Sequence, residues 1–181
     1  MKLKMQPLNS RQAGASLIEV LVAVLLLSFG ILALGTLLSF SVQMPKLAAY
    51  RATATNLAAS HIERIRANPN GDYNSSLSYD GKFTEIETAD CSPACTDELR
   101  SLMDKKYTEN AARAELPAGG LEVTCDTIPG STVKCPSGNL WVVWQEPSTV
   151  AAINSANSDN CPPKVTANFK DPMPRCLYVR F

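Results

Sequence analysis

Hydrophobic and polar positions divide the chain into one long apolar run, an amphipathic stretch that follows it, and a final third of short alternating segments. The apolar run extends from Val20 to Leu38 without a charged residue. A helix rises about 1.5 Å per residue, so this run, completed by residues 39–42, is long enough to cross a bilayer core of ~30 Å. The pattern therefore predicts a membrane-spanning helix near the amino terminus.

Helical periodicity continues beyond the apolar run, and it predicts one long helix over about residues 15–67. Apolar or small residues recur in steps of three and four, which mark one face of a helix. They are Leu47, Tyr50, Ala54, Leu57, Ala58, Ile62 and Ile65. The helix should end at the breaker cluster in residues 68–71. We call the amphipathic part, residues 45–68, the spine segment.

A shorter helix is expected after Thr96, whose hydroxyl can cap it. The acidic pair Asp97 and Glu98 suits the positive amino-terminal end of such a helix. Its apolar residues predict the face that packs on the domain. They are Leu99, Leu102, Met103 and Tyr107.

Three segments in the final third have the alternation or the β-branched and aromatic composition of strands. They are Leu121–Cys125, Asn139–Gln145 and Arg175–Phe181. Within the second of them, Trp141 and Trp144 should face opposite sides of the sheet. A long helix followed by antiparallel strands that pack on it is an α+β fold. We therefore expect residues 69–181 to form one globular α+β domain.

The basic residues Lys2, Lys4 and Arg11 precede the apolar run without an acidic residue among them. Positive flanks stay in the cytoplasm, so the rest of the chain should be exported. A secretory signal peptide would place its small-residue cleavage site after the apolar core, whereas here Gly14-Ala15-Ser16 precedes it. An ordinary single-span anchor also fits these features, and the residues alone leave it open.

Charge and candidate chemistry narrow the function further. The 181 residues contain 17 Lys and Arg and 17 Asp and Glu, with no basic run in the exported part, so nucleic-acid binding is not expected. His61 is the one histidine, and no nucleophile motif lies near it in sequence, which indicates a packing or surface residue rather than a catalyst. No metal, no cofactor and no enzyme activity are expected.

All six cysteines lie in the part of the chain that should be exported. An even count in an oxidising compartment predicts disulfides, and six cysteines allow 15 pairings, among which the sequence does not choose. Our working hypothesis is sequential pairing. The pairs are then Cys91–Cys95, Cys125–Cys135 and Cys161–Cys176.

The residues from Gly14 through Ala-Ser-Leu-Ile to Glu19, followed by the apolar run, resemble the class III leader of type IV pilin-like proteins. This family includes type IV pilins and type II secretion pseudopilins. The resemblance implies that a prepilin peptidase cuts between Gly14 and Ala15 and that the new amino terminus at Ala15 is N-methylated. It also implies that Glu19, the fifth mature residue, acts in subunit assembly. Ala15 departs from the phenylalanine that is commoner at this place.

Two further segments, residues 56–68 and 116–146, resemble minor pilins of the PilV (type IV pilus modification) group. This resemblance implies a structural subunit that takes part in priming pilus assembly and lies at the fibre tip. It also implies that the disulfide before the last strand closes a loop, as in many pilins. A type II secretion pseudopilin, which shares leader and spine, is the alternative. An exported membrane-anchored enzyme is a third hypothesis.

The expected organisation follows from the leader. Residues 1–14 are a leader peptide, residues 15–44 a transmembrane and fibre-core helix, and residues 69–181 a periplasmic domain beyond the spine segment. The implied location is the inner membrane, as a single-pass protein, and then the pilus fibre. The implied partners are other minor pilins, the major pilin, the prepilin peptidase, the inner-membrane assembly platform and an adhesin-like tip protein.

Overall fold

A computed structural model describes residues 16–75, 94–146, 159–168 and 174–181. The chain divides into two compact units, Met1–Pro45 and Lys46–Phe181. The secondary structure, in chain order, is α1 (Leu17–Ala67), α2 (Asp97–Glu115), β1 (Gly120–Cys125), β2 (Gly138–Trp144), α3 (Pro163–Asn168) and β3 (Arg175–Arg180). The long helix and the three strands are confirmed close to their expected bounds.

Helix α1 satisfies the length and composition of a membrane span. Its most apolar 18-residue window has a mean hydropathy of 2.8, and no part of that window is buried against the rest of the described chain. The helix ends at Ala67, directly before the breaker cluster, as the sequence indicates. Together these features confirm a helix that is able to anchor the chain in a membrane by a single pass.

The three strands form an antiparallel sheet in the order β1-β2-β3. Leu121 of β1 lies opposite Val142 of β2, which in turn lies opposite Leu177 of β3. Gly138 and Phe181 exchange both backbone hydrogen bonds at 3.1 Å, so the ladder continues to the last residue. This sheet and the long helix confirm the α+β fold.

The main core lies between the spine segment and the inner face of the sheet. From α1 it takes the part of the expected apolar stripe that begins at Ala54, and the other stripe residues, Leu47 and Tyr50, are half-buried. Its buried members from the sheet are Leu121, Val123, Leu140, Val142 and Trp144. Burying a Val, Leu or Ile side chain stabilises a fold by about 1.5–3 kcal/mol, so this contact fixes the sheet on the helix.

The two tryptophans occupy opposite faces of β2, as expected from their spacing. Trp144 belongs to the main core, whereas Trp141 packs in a smaller cluster with Val143 and with Val165 of α3. The indole Nε1 of Trp141 donates a hydrogen bond of 3.0 Å to the carbonyl oxygen of Asn160. The segment around α3, which the sequence does not predict as helical, therefore covers part of the outer sheet face.

Helix α2 begins as expected but packs on a different face. The Thr96 hydroxyl accepts a hydrogen bond of 3.2 Å from the backbone N–H of Leu99, which is the predicted cap. However, Leu102 and Tyr107 are 39% and 58% exposed, so their predicted place in the packing face is wrong, whereas Leu99 and Met103 are half-buried. The side chains that α2 buries are Ser101, Asp104, Thr108, Ala112 and Arg113. This face of α2 packs inward because polar side chains on α1 form hydrogen bonds with it.

Candidate functional site

The apolar part of α1 is the largest exposed hydrophobic surface among the described residues. Every large apolar side chain from Leu17 to Met44 is exposed, from 45% at Phe40 to 79% at Leu17. A soluble monomer rarely exposes contiguous apolar surface of this extent, so lipid or other apolar helices must cover it. This surface is the first part of the candidate site.

The hydroxyl side chains within this surface are satisfied by the helix itself. Ser28 Oγ donates to the carbonyl oxygen of Val24 at 2.7 Å, and Thr36 Oγ1 donates to that of Ala33 at 2.8 Å. A spanning helix must satisfy its polar groups internally, because a bilayer core offers no water. This part of α1 therefore suits both a bilayer and a dry bundle of helices.

Glu19 is the one ionisable residue of the apolar helix before Lys46. It lies in the first turn, where its backbone N–H donates to the carbonyl oxygen of Ser16 at 2.9 Å. A carboxylate there is favoured by the positive end of the helix dipole. The side chain is exposed, and in the part of the chain that the structure describes it has no hydrogen-bond or ionic partner. Gly14 and Ala15 lie outside that part, so the cleavage site stays a prediction.

A second polar feature lies between the spine segment and α2. We call it the polar cluster, and it consists of His61, Arg64, Tyr73, Asp104 and Thr108. The carboxylate of Asp104 accepts hydrogen bonds of 2.8 Å from Arg64 Nη1 at Oδ1 and from the Tyr73 hydroxyl at Oδ2. The Thr108 hydroxyl lies 2.9 Å from His61 Nδ1 and donates to the carbonyl oxygen of Asp104 at 2.9 Å. These long-range bonds turn the polar side of α2 inward.

The environment of His61 keeps its ring uncharged. The side chain is fully buried, and its ring meets that of Tyr73 edge to face at 5.8 Å between centroids. Burial lowers the pKa of His61 from 6.5 to about 4, with Asp104 raising the pKa and Arg64 and Lys105 lowering it. His61 is thus a neutral packing residue at pH 7, bonded to Thr108. The matching polar spacings His61-Arg64 on α1 and Asp104-Thr108 on α2 are the sequence signal for this cluster.

Two of the three expected disulfides join residues that the structure describes, and both are confirmed. Cys125–Cys135 has a Cα–Cα distance of 4.9 Å and closes the turn between β1 and β2. Cys161–Cys176 has a Cα–Cα distance of 5.3 Å and links the segment before α3 to β3. Cys95 is also disulfide-bonded, whereas Cys91 lies outside the described residues, so its pairing stays a prediction.

Alkylation of the folded chain without prior reduction is expected to label none of the six cysteines. Replacing Cys125 and Cys135 together with alanine should lower the free energy of unfolding by about 3 kcal/mol, because the unfolded chain regains the freedom of the closed loop. Mass spectrometry after alkylation and chemical denaturation measure the two effects. A reduced sample that gains six labels is the control. Two or more labels in the folded, unreduced chain would contradict complete pairing.

An exposed apolar helix with one acidic residue in its first turn precedes a disulfide-bonded α+β domain, an arrangement that is consistent with a single-pass membrane anchor. Residues 9–35 match the prokaryotic N-terminal methylation motif, which is the prepilin-type leader. This motif indicates a type IV pilin-like or pseudopilin protein that is processed by a prepilin peptidase and assembles with pilin-type partners. No curated protein and no solved structure matches the chain.

Proposed function

We propose that this protein is a minor type IV pilin, a structural subunit that takes part in priming pilus assembly and lies at the fibre tip. The observation that carries the proposal is the methylation motif over residues 9–35, which runs directly into the exposed apolar part of α1. An apolar surface of this kind suits a subunit that is stored in a membrane and later packed among similar helices. The disulfide-bonded domain favours an exported fibre subunit over a cytoplasmic one.

Assembly in this proposal uses the same helix surface twice. In the membrane it contacts lipid, and in the fibre it contacts the helices of neighbouring subunits. Cleavage after Gly14 creates a positive amine at Ala15, four residues before Glu19. A carboxylate in an apolar bundle is costly unless it is paired, so an amine on the adjoining subunit would stabilise it. Glu19 would thereby set the position of each incoming subunit.

The finer assignment to PilV-type minor pilins rests on the resemblance of two segments, residues 56–68 and 116–146. Residues 56–68 include the end of α1, and residues 116–146 include β1 and β2, so both segments contribute to the core of the folded domain. The partners in this proposal are other minor pilins, the major pilin, the inner-membrane assembly platform and an adhesin-like tip protein. The domain lies in the periplasm before assembly and in the pilus afterwards.

Replacing Gly14 with valine is expected to block processing, because the branched side chain would not fit where the peptidase requires glycine. Intact mass and N-terminal analysis of membrane-extracted protein measure this. Wild-type protein should begin at an N-methylated Ala15, and the variant should retain residues 1–14. Gly30→Val makes the same change within the helix, where a Cβ meets nothing of this chain within 4 Å, and should be processed normally. A wild-type chain that keeps Met1, or a Gly14→Val chain that is still cut, would rule out the prepilin assignment.

Sheared surface fibres distinguish a pilus subunit from a secretion pseudopilin. A tagged chain should occur in sheared pili as a rare subunit, and its deletion should reduce the number of pili per cell. Unchanged piliation, together with loss of type II secretion, would assign the chain to a pseudopilus instead.

A further inference from the structure

Helix α2 is held on the domain mainly by polar contacts. Three of its buried side chains, Ser101, Asp104 and Thr108, are 1%, 9% and 2% exposed, and Ala112 is the one fully buried apolar side chain that it contributes. An interface of this kind depends on hydrogen bonds whose donors and acceptors stay matched, because an unpaired buried polar group is costly. A change of protonation within the polar cluster therefore acts directly on the attachment of α2.

The hydrogen bonds of His61 suit the neutral ring and provide no acceptor for a second proton on it. The single proton of the Thr108 hydroxyl goes to the carbonyl oxygen of Asp104, so Thr108 accepts the proton of His61 Nδ1. The opposite nitrogen, Nε2, is buried and has no hydrogen-bond partner. A proton added at Nε2 would be a buried, charged donor without an acceptor among the described residues.

The charged groups that face His61 do not compensate for that proton. On α2 these groups are Asp104, which favours a charged ring, and Lys105, which opposes it, and on α1 Arg64 also opposes it. The Asp104 carboxylate already accepts from Arg64 and from Tyr73. Tyr73 is neutral, because burial and its bond to Asp104 raise the pKa of its hydroxyl to about 12. Among the residues that the structure describes, Asp104 is the one acid that favours a charged ring, and each of its oxygens already accepts a hydrogen bond.

We propose that His61 is an acid-responsive switch: when the ring takes up a second proton, α2 separates from the spine segment while the sheet stays folded. Separation gives the charged ring water as a partner. The sheet keeps its own backbone ladder, its disulfides at Cys125 and Cys176, and a main core to which α2 contributes one fully buried side chain, Ala112. The response belongs to the folded domain and goes beyond the proposed role in assembly.

The size of the response follows from the two protonation equilibria. In the attached state the pKa of His61 is about 4, and in the separated state the hydrated ring returns to its ordinary 6.5. The neutral ring therefore stabilises attachment above pH 6.5, and this stabilisation is lost progressively as the pH falls from 6.5 towards 4. Between pH 7 and pH 5 the equilibrium constant for separation should rise about twentyfold.

Hydrogen exchange measured by mass spectrometry on the full chain in detergent micelles tests the proposal. Exchange at pH 7 and pH 5 is converted to protection factors, so that the intrinsic effect of pH is removed. Peptides from α2 should lose protection about twentyfold at pH 5, whereas peptides from β2 and β3 should keep theirs. Equal loss of protection in α2 and in the sheet, or no loss in α2, would overturn the proposal.

Three variants assign the response to one residue. His61→Asn places an amide nitrogen near the position of Nδ1, so it can keep the bond to Thr108 but cannot titrate, and it should abolish the acid response of α2. His61→Phe fills the ring volume and makes the same comparison if the asparagine variant does not fold. Asp104→Asn removes the carboxylate and keeps the histidine, and should retain the response. An acid response that persists in both His61 variants, or that disappears in Asp104→Asn, would show that another group is responsible.

Discussion

Replacing Glu19 with alanine should leave the chain inserted and cleaved but reduce its incorporation into fibres about tenfold or more. The apolar run and Gly14 are untouched, so targeting and processing should be normal. The lost interaction is the proposed ion pair between the Glu19 carboxylate and the amine of an adjoining subunit. A hydrogen bond to a charged group contributes about 1.5–3 kcal/mol, and each 1.4 kcal/mol is a factor of ten in an equilibrium constant. Quantitative immunoblotting of sheared fibres and of membranes, with pilus counts, measures the change.

Glu63→Ala is the matched control for this experiment. Glu63 lies on the same helix but is exposed, and it pairs with Arg66 one turn later at 2.8 Å, a type of surface pair that contributes little. Its loss should leave incorporation unchanged. Wild-type piliation and normal incorporation of Glu19→Ala would refute the assembly role. Failure of that variant to enter the membrane would show that Glu19 acts before assembly.

Replacing Gly119 with alanine is expected to destabilise the globular domain by about 3 kcal/mol, near the upper end of what overpacking costs. Gly119 lies in the turn that joins α2 to β1. A Cβ at this position would approach the carbonyl oxygen of Ala112 to 2.0 Å and the Cβ of Leu116 to 3.1 Å. The Ala112 oxygen accepts the last hydrogen bond of α2, from Leu116, so the clash cannot be relieved by turning a side chain. The end of the helix or the start of the strand must move instead.

Thermal unfolding followed by circular dichroism measures this effect, and the midpoint should fall by about 10 °C. Gly35→Ala is the control, because a Cβ there meets nothing of this chain within 4 Å and lies in the apolar part of α1. It should leave the unfolding of the globular domain unchanged. An unchanged midpoint for Gly119→Ala would mean that the turn relaxes without cost.

Local patterns in the sequence predict the elements of this fold well, because each is formed by residues near one another in the chain. The stripe from Ala54 to Ile65 marks the buried face of α1, and the alternation in β2 places Trp141 and Trp144 on opposite sides of the sheet. The cap at Thr96 is equally local. The orientation of α2 is not local, because Asp104 is buried by partners more than thirty residues away, Arg64 and Tyr73.

The two parts of the candidate site also differ in how far the sequence predicts them. The leader motif and Glu19 are contiguous, so the sequence alone is enough to predict them. The polar cluster requires three separate segments to meet, and hydrophobic periodicity assigns Leu102 and Tyr107 to the interface because it ignores hydrogen bonding. In the structure Tyr107 instead lies under the guanidinium of Arg64, 4.4 Å from the ring centroid. A row of polar residues on one helix whose spacing matches a polar row on another is therefore the sequence pattern that would predict such an interface.

The disulfides also limit how far the domain can lengthen under load. Cys161 and Cys176 are 15 positions apart, and Cys125 and Cys135 are 10 positions apart. An extended chain spans about 3.4 Å per residue, so the first cross-link withholds roughly 50 Å of contour length and the second roughly 35 Å. A pulling force that detached β3 from β2 would straighten only the chain outside these closed loops. The domain would thus reach its full extension at a shorter length than a chain without these disulfides. Any further pulling would then act on covalent bonds.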